Sequence, residues 1–330
     1  MTIFVFLLVA AVVGAGAVIT VIGTARIEAA HPAAGRLVEV EGGRLHVLEL
    51  GPPVSLDAAA PEPEPPIVLI HGASGNLQDL RIALGDRLAV NRRVVLVDRP
   101  GHGWSDRPGG SADASPARQA ALIAQALERI GLTRFVVLGH SLGGAIATAF
   151  ALAYPDRLAG LVLLAPVTHP WVGGLAWHNA ILSTPVVGPL FARTLALPLG
   201  AVLLDSGAAS TFAPQPVPAA YLDRAAIALL LRPSELLANA QDIAALKGFV
   251  TAQAPRYGEI AIPTVILTGT ADSTVSPRIH ARAIAAAVPD ARLIVLEGVG
   301  HMPQHSHADE IVAAIAQLPV RPPLALDASR

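Results

Sequence analysis

From Ile3 through Gly23 the chain carries no charged residue. A run of that length crosses ~30 Å of hydrocarbon as a helix, so residues 1–25 are expected to form a membrane anchor, followed by a short polar tether over 26–35. A cleaved signal peptide is the alternative reading. It wants a basic start and an apolar stretch of only ~7–15 residues; this segment has neither, although Gly23-Thr24-Ala25 resembles a cleavage site. The flanking charges, Arg26 and Arg36 offset by Glu28, specify the orientation across the membrane only weakly.

Beyond the tether the period changes. Leu37–Val40 and Leu45–Leu50 alternate apolar and polar residues about Gly42-Gly43, a hairpin signal. Largely apolar runs then recur at Ile67–Ile70, Val94–Val97, Phe135–Leu138, Leu161–Leu164, Pro263–Gly269 and Ala291–Leu296. Bounded by turn residues, they read as buried strands. Pro116–Ile130 places Leu122, Ile123, Ala126, Leu127 and Ile130 on one stripe, with Ser115 set to cap and Pro116 in the first turn. Helices are also expected over Pro277–Val288 and His307–Leu318. Strand–helix alternation of this kind predicts an α/β fold with a mostly parallel sheet flanked by helices. Two stretches break it. Gly51–Pro66, rich in proline, alanine and acid, reads as an extended surface loop. Thr168 to about Pro255 is proline-rich and apolar, with Trp171, Trp177, Phe191, Phe212 and Tyr221 scattered through broken helical patterns.

Composition narrows the function classes. The 330 residues suit one α/β domain plus an insertion. A net charge of −2 gives no electrostatic case for nucleic acid. With no cysteine, a thiol nucleophile and disulfides are excluded. No phosphate-cradling glycine loop follows a strand, so no nucleotide cofactor is indicated. His301, His305 and His307 lack the cysteine or acidic neighbours of a usual metal site, and no metal is expected.

The chemistry concentrates at Gly139-His140-Ser141-Leu142-Gly143, which follows a strand and opens an alanine-rich helix. A serine on so sharp a strand-to-helix turn is held in strained backbone angles with its hydroxyl exposed above the sheet. The N–H of Leu142, at the start of the helix, faces the place where an oxyanion would form. A serine needs a histidine to take its proton, and the histidine needs a carboxylate to fix its tautomer. Asp272 and His301 supply them in chain order, each just past the end of an apolar strand.

In these motifs the chain resembles the α/β-hydrolase family over roughly residues 36–318. The resemblance implies Ser141 as nucleophile, His301 as general base and Asp272 as its carboxylate. The other position at which the family carries the acid offers only Ala165-Pro166-Val167-Thr168. His71-Gly72-Ala73-Ser74 looks like the family's oxyanion loop, which would make the Ala73 N–H the second donor and let Ser74 add a hydroxyl. Val97-Asp98-Arg99-Pro100-Gly101-His102-Gly103-Trp104-Ser105 resembles the family's turn beside the site, with Asp98 structural. The implied organisation is a core over 36–168 and 258–318, a helical cap over 169–257 and a frayed tail over 319–330. The implied activity is hydrolysis of a carboxylic ester of a small-to-medium apolar substrate. Carbon–carbon hydrolases, lactonases and acyltransferases share these motifs. A ligand-binding protein with an idle serine is the competing reading of another class.

Overall fold

The computed structural model describes residues 2–52 and 64–320. Eight strands form one sheet: β1 (Arg36–Val40), β2 (Gly43–Leu50), β3 (Ile67–Ile70), β4 (Val94–Val97), β5 (Phe135–His140), β6 (Leu158–Leu164), β7 (Thr264–Gly269) and β8 (Arg292–Leu296). Their order is β1-β2-β4-β3-β5-β6-β7-β8. β2 pairs antiparallel with β1 and β4, and every other pairing is parallel. β3 to β7 are buried at every position, which is why their sequences run apolar without alternation.

Both faces are covered. Along β3, Val68 and Ile70 join the core beneath the helices Pro116–Arg129 and Leu142–Ala153, while Ile67 and Leu69 join the core on the opposite face with Ile311 and Ile315 of the helix Ala308–Ala316. Successive side chains of one strand thus feed two different cores. Parallel strands bring their C-terminal ends to one edge, where ligands of open α/β sheets bind.

Several element boundaries differ from expectation. The first helix, α1, spans Thr2–Ala30, so residues 26–30 of the expected tether are its last turns. Arg26 to Ala30 are tolerable helix residues, and the helix stops just before Pro32. Glu28 is held there by Arg232, 3.3 Å away. The Ser115 hydroxyl makes no capping hydrogen bond at Pro116–Arg129. The helix expected over Pro277–Val288 covers only Ala281–Ala287, and the last one begins at Ala308. Most of the Gly51–Pro66 loop, residues 53–63, and the tail from 321 lie outside the described residues.

Between β6 and β7 the chain leaves the sheet and forms helices from Trp177 to Glu259. Two dominate this insertion: Val187–Phe212, with a π-type turn at Ala192–Ala196, and Pro233–Gln253. α1 packs along the first of these. A Cβ at Gly16 would lie 2.4 Å from the Thr194 carbonyl oxygen, so only glycine permits this approach. Thr20, buried beside it, donates its hydroxyl to the same carbonyl at 3.2 Å.

Candidate active site

β5 ends at His140 and the next helix begins at Leu142, leaving Ser141 alone to make the turn. Its φ of 54° and ψ of −118° lie where side-chain-bearing residues are strained. The surroundings over-determine the strain. Ser141 N donates to the Leu164 carbonyl at 3.0 Å, and its own carbonyl accepts from Gly144 and Val167 at 2.9 and 3.0 Å. The flanking glycines are steric requirements: a Cβ on Gly139 would fall 2.2 Å from the Gly143 carbonyl oxygen, and one on Gly143 2.3 Å from that of Ile70.

The structure brings the three residues named from sequence into one hydrogen-bonded chain. Ser141 Oγ lies 3.0 Å from His301 Nε2, and His301 Nδ1 lies 2.8 Å from Asp272 Oδ2. Asp272 Oδ1 accepts from the backbone N–H groups of Thr274 and Val275 at 2.9 and 2.8 Å. A carboxylate that only accepts fixes the proton of the neutral imidazole on Nδ1, leaving Nε2 as acceptor for the serine hydroxyl. All three residues are buried.

The loop after β3 lies against this chain. A Cβ on Gly72 would stand 3.1 Å from Ser141 Cβ, so glycine lets the loop approach and sets Ala73 beside the serine. Ser74 has a φ of 57° and is committed to the insertion: its N–H donates to Asn239 Oδ1 at 2.7 Å and its Oγ accepts from Asn239 Nδ2 at 3.1 Å. Behind the loop, His71 donates from Nδ1 to the Gly72 carbonyl and accepts the Arg99 N–H at Nε2. Burial and the nearby Arg99 push His71 down to about 3, so it stays neutral. His140, buried against His301, is pushed down to about 4.

Above Ser141 and His301 opens a cavity of about 460 Å³. Leu182, Phe191, Leu204, Phe212, Ile227 and Leu236, all from the insertion, form much of its wall. No arginine or lysine among the described residues lines it. Asp79 is its one carboxylate among the described residues. Burial acts to raise that group, but hydrogen bonds from His305 Nε2 at 2.7 Å and the Tyr221 hydroxyl at 2.9 Å outweigh burial and hold it at about 2.

A model of the alpha/beta hydrolase fold matches residues 65–308. The chain belongs to the α/β-hydrolase family. Among its hydrolase relatives, the 2-hydroxy-6-oxononadienedioate/2-hydroxy-6-oxononatrienedioate hydrolase of Cupriavidus pinatubonensis is 29% identical, the match covering 73% of this chain and 82% of that protein. The 1-acylglycerol-3-phosphate O-acyltransferase ABHD5 of Sus scrofa is 37% identical over 109 residues, which is 32% of this chain and only 30% of that relative's length. Two solved hydrolase structures share the fold. A thermophilic esterase from Thermogutta terrifontis is 21% identical with a TM-score of 0.66, covering 86% of this chain and 96% of its own. A membrane phospholipase A is 22% identical with a TM-score of 0.64, covering 96% of this chain and 100% of its own.

How the chain holds its serine-side loop was not legible in the sequence. Glu235, Asn239 and Asp242 stand at helical spacing on Pro233–Gln253 and all turn inward. Asp242 is ion-paired to the fully buried Arg99, whose guanidinium also donates to the Gly72 carbonyl at 3.2 Å. Glu235 accepts from Gly103 N and from Arg232. The signal was present as a polar stripe, which on an unplaced helix reads as the solvated face. His305, from the start of the last helical region, ties that region to Asp79.

Proposed function

We infer that this hydrolase cleaves carboxylic esters carrying an apolar acyl chain, through an acyl-enzyme on Ser141, while held to a membrane by α1. The observation that carries the reading is the Ser141–His301–Asp272 chain at the floor of an apolar cavity. With the acyl chain along the insertion helices, the ester carbonyl meets Ser141 Oγ. As the Oγ–carbon bond forms, His301 Nε2 takes the serine proton and Asp272 stabilises the resulting imidazolium. The carbonyl π electrons move to oxygen, and the N–H groups of Ala73 and Leu142 receive that oxyanion, aided by the dipole of the helix Leu142–Ala153. Collapse expels the alcohol, protonated by His301. Water then attacks the acyl-enzyme by the same sequence, releasing the acid and free Ser141.

An apolar wall without a cationic side chain favours an acyl chain over a dicarboxylate such as the one named for the Cupriavidus relative. A serine-directed fluorophosphonate tests the nucleophile: stoichiometric labelling of the full-length protein, lost in Ser141→Ala, is expected. Resistance of the folded wild type to the probe would favour a ligand-binding protein on this fold.

A further inference from the structure

The first half of the insertion is a long apolar stretch. From Ala165 to Leu204 its only charged residue is Arg193, and the helix Val187–Phe212 is long and apolar enough to cross a membrane. It is nevertheless poorly covered. Val186 is 80% exposed and Val202 78%, and Val187 and Leu190 are exposed beside them. Trp177, Leu199 and Leu203 both line the cavity and reach the surface, so the cavity opens among exposed apolar side chains.

The position of this patch relative to α1 decides what covers it. The uncharged span of α1 needs ~20 residues to cross the hydrocarbon, so Gly16, Thr20 and Gly23 belong to its second half. These are the residues packed on the insertion: Gly16 and Thr20 against Thr194, and Gly23 against Leu197. If α1 spans the bilayer, Thr194 and Leu197 stand at hydrocarbon depth with it. The chemistry there suits that depth. The segment is helical, so its backbone groups are paired internally. Thr194 donates its hydroxyl to the Leu190 carbonyl, and Arg193 has the long stem that lets a guanidinium reach the headgroups. Exposed apolar residues lie both on α1, including Val18 and Ile22, and on the insertion, where Arg193 is the one charged residue between Val186 and Leu203.

We propose that the outer face of Val186–Leu203 is immersed in the acyl region of one lipid leaflet, with the cavity mouth at Trp177, Leu199 and Leu203 open to the lipid rather than to water. The ester then enters laterally from the leaflet. This rests on the reading of α1 as a spanning anchor and deepens the substrate reading to esters resident in the bilayer.

The absence of cysteine makes a clean labelling test possible. Val18→Cys, Val186→Cys, Val202→Cys and Glu128→Cys would each carry a bimane in the full-length protein, in vesicles of phosphatidylethanolamine and phosphatidylglycerol. Glu128 is exposed near the end of the helix leading into β5, at the sheet edge opposite the site. Labels at Val18, Val186 and Val202 should be quenched by nitroxide on the lipid acyl chains and spared by aqueous iodide, with the reverse at Glu128. Lipid quenching at Val18 but iodide quenching at Val186 and Val202 overturns the proposal. Protection from both quenchers at Val202, with energy transfer between labelled copies, assigns the face to a second chain and also overturns it. Lack of lipid quenching at Val18 removes the anchor and the proposal together.

Activity gives an independent arm. Val186→Asp with Val202→Asp should lower turnover of a vesicle-embedded ester roughly tenfold or more, from the cost of placing acids in hydrocarbon, and leave soluble p-nitrophenyl butyrate turnover unchanged. Equal loss on both substrates, or on neither, contradicts the proposal. A wild type inactive on the soluble ester faults the hydrolase reading instead and leaves the labels to decide the surface.

Discussion

Asp272 uses both of its oxygens as acceptors, one for His301 and the other for two backbone N–H groups. An asparagine cannot do this: whichever way its amide turns, the NH2 meets a donor. Asp272→Asn should therefore lower kcat by ~10⁴-fold through the wrong imidazole tautomer, the size known for the equivalent change in a serine protease. Steady-state kinetics on a soluble ester, with circular dichroism to show retained fold, checks it. These residues were legible because each is announced locally: a glycine-framed serine after a strand, and an acid and a histidine each just beyond one. Asn239 was not legible. It lies mid-helix with no motif, and only the docked insertion turns it onto Ser74. Its two contacts hold the Ser74 N–H and the Ser74 hydroxyl oxygen together, and the N–H pairing steadies the Ala73–Ser74 peptide. Asn239→Leu should lower kcat by about tenfold to a hundredfold at unchanged KM, less than the ~10²–10³ lost with an oxyanion donor itself. Asn239→Asp should recover most of it, since a carboxylate accepts from both the N–H and the hydroxyl of Ser74. A change confined to KM would assign Asn239 to substrate binding.

Among the elements, Pro233–Gln253 joins the insertion to the core by buried polar groups rather than by an apolar stripe alone. Glu235 is the costly one. Burial, only partly offset by Arg232, pushes its carboxyl up to about 7. The folded state thus holds a proton that the unfolded chain releases near 4.5, and stability falls as pH rises from there to about 7, then levels. That interval corresponds to about 3 kcal/mol at most. Urea denaturation across pH should show the decline in wild type and its loss in Glu235→Gln. A wild-type profile flat through this window would mean that Arg232 holds Glu235 ionised. The same scale shows where pattern reading fell short at α1. Hydropathy marks where charge begins, at Arg26, but backbone propensity carries the helix on to Ala30, where Glu28 and Arg232 meet.

For the whole molecule, the sheet was legible because strands buried on both faces cannot hide: each is a short apolar run closed by turn residues, and their spacing implies the parallel order. The insertion was legible only as an interruption. Its helices carry apolar residues on more than one side, so periodicity gives no inward face; one side lines the cavity, another meets α1, and a third is exposed. The first of those sides makes the apolar cavity over Ser141, and with it the case for an acyl-chain substrate. That case is tested most directly by hydrolysis of p-nitrophenyl esters from acetate to palmitate by the full-length protein, with Ser141→Ala as control. Turnover that depends on Ser141 and rises with acyl length beyond acetate is the expected result. Turnover that persists in Ser141→Ala, or a folded wild type inactive on every ester, would contradict it.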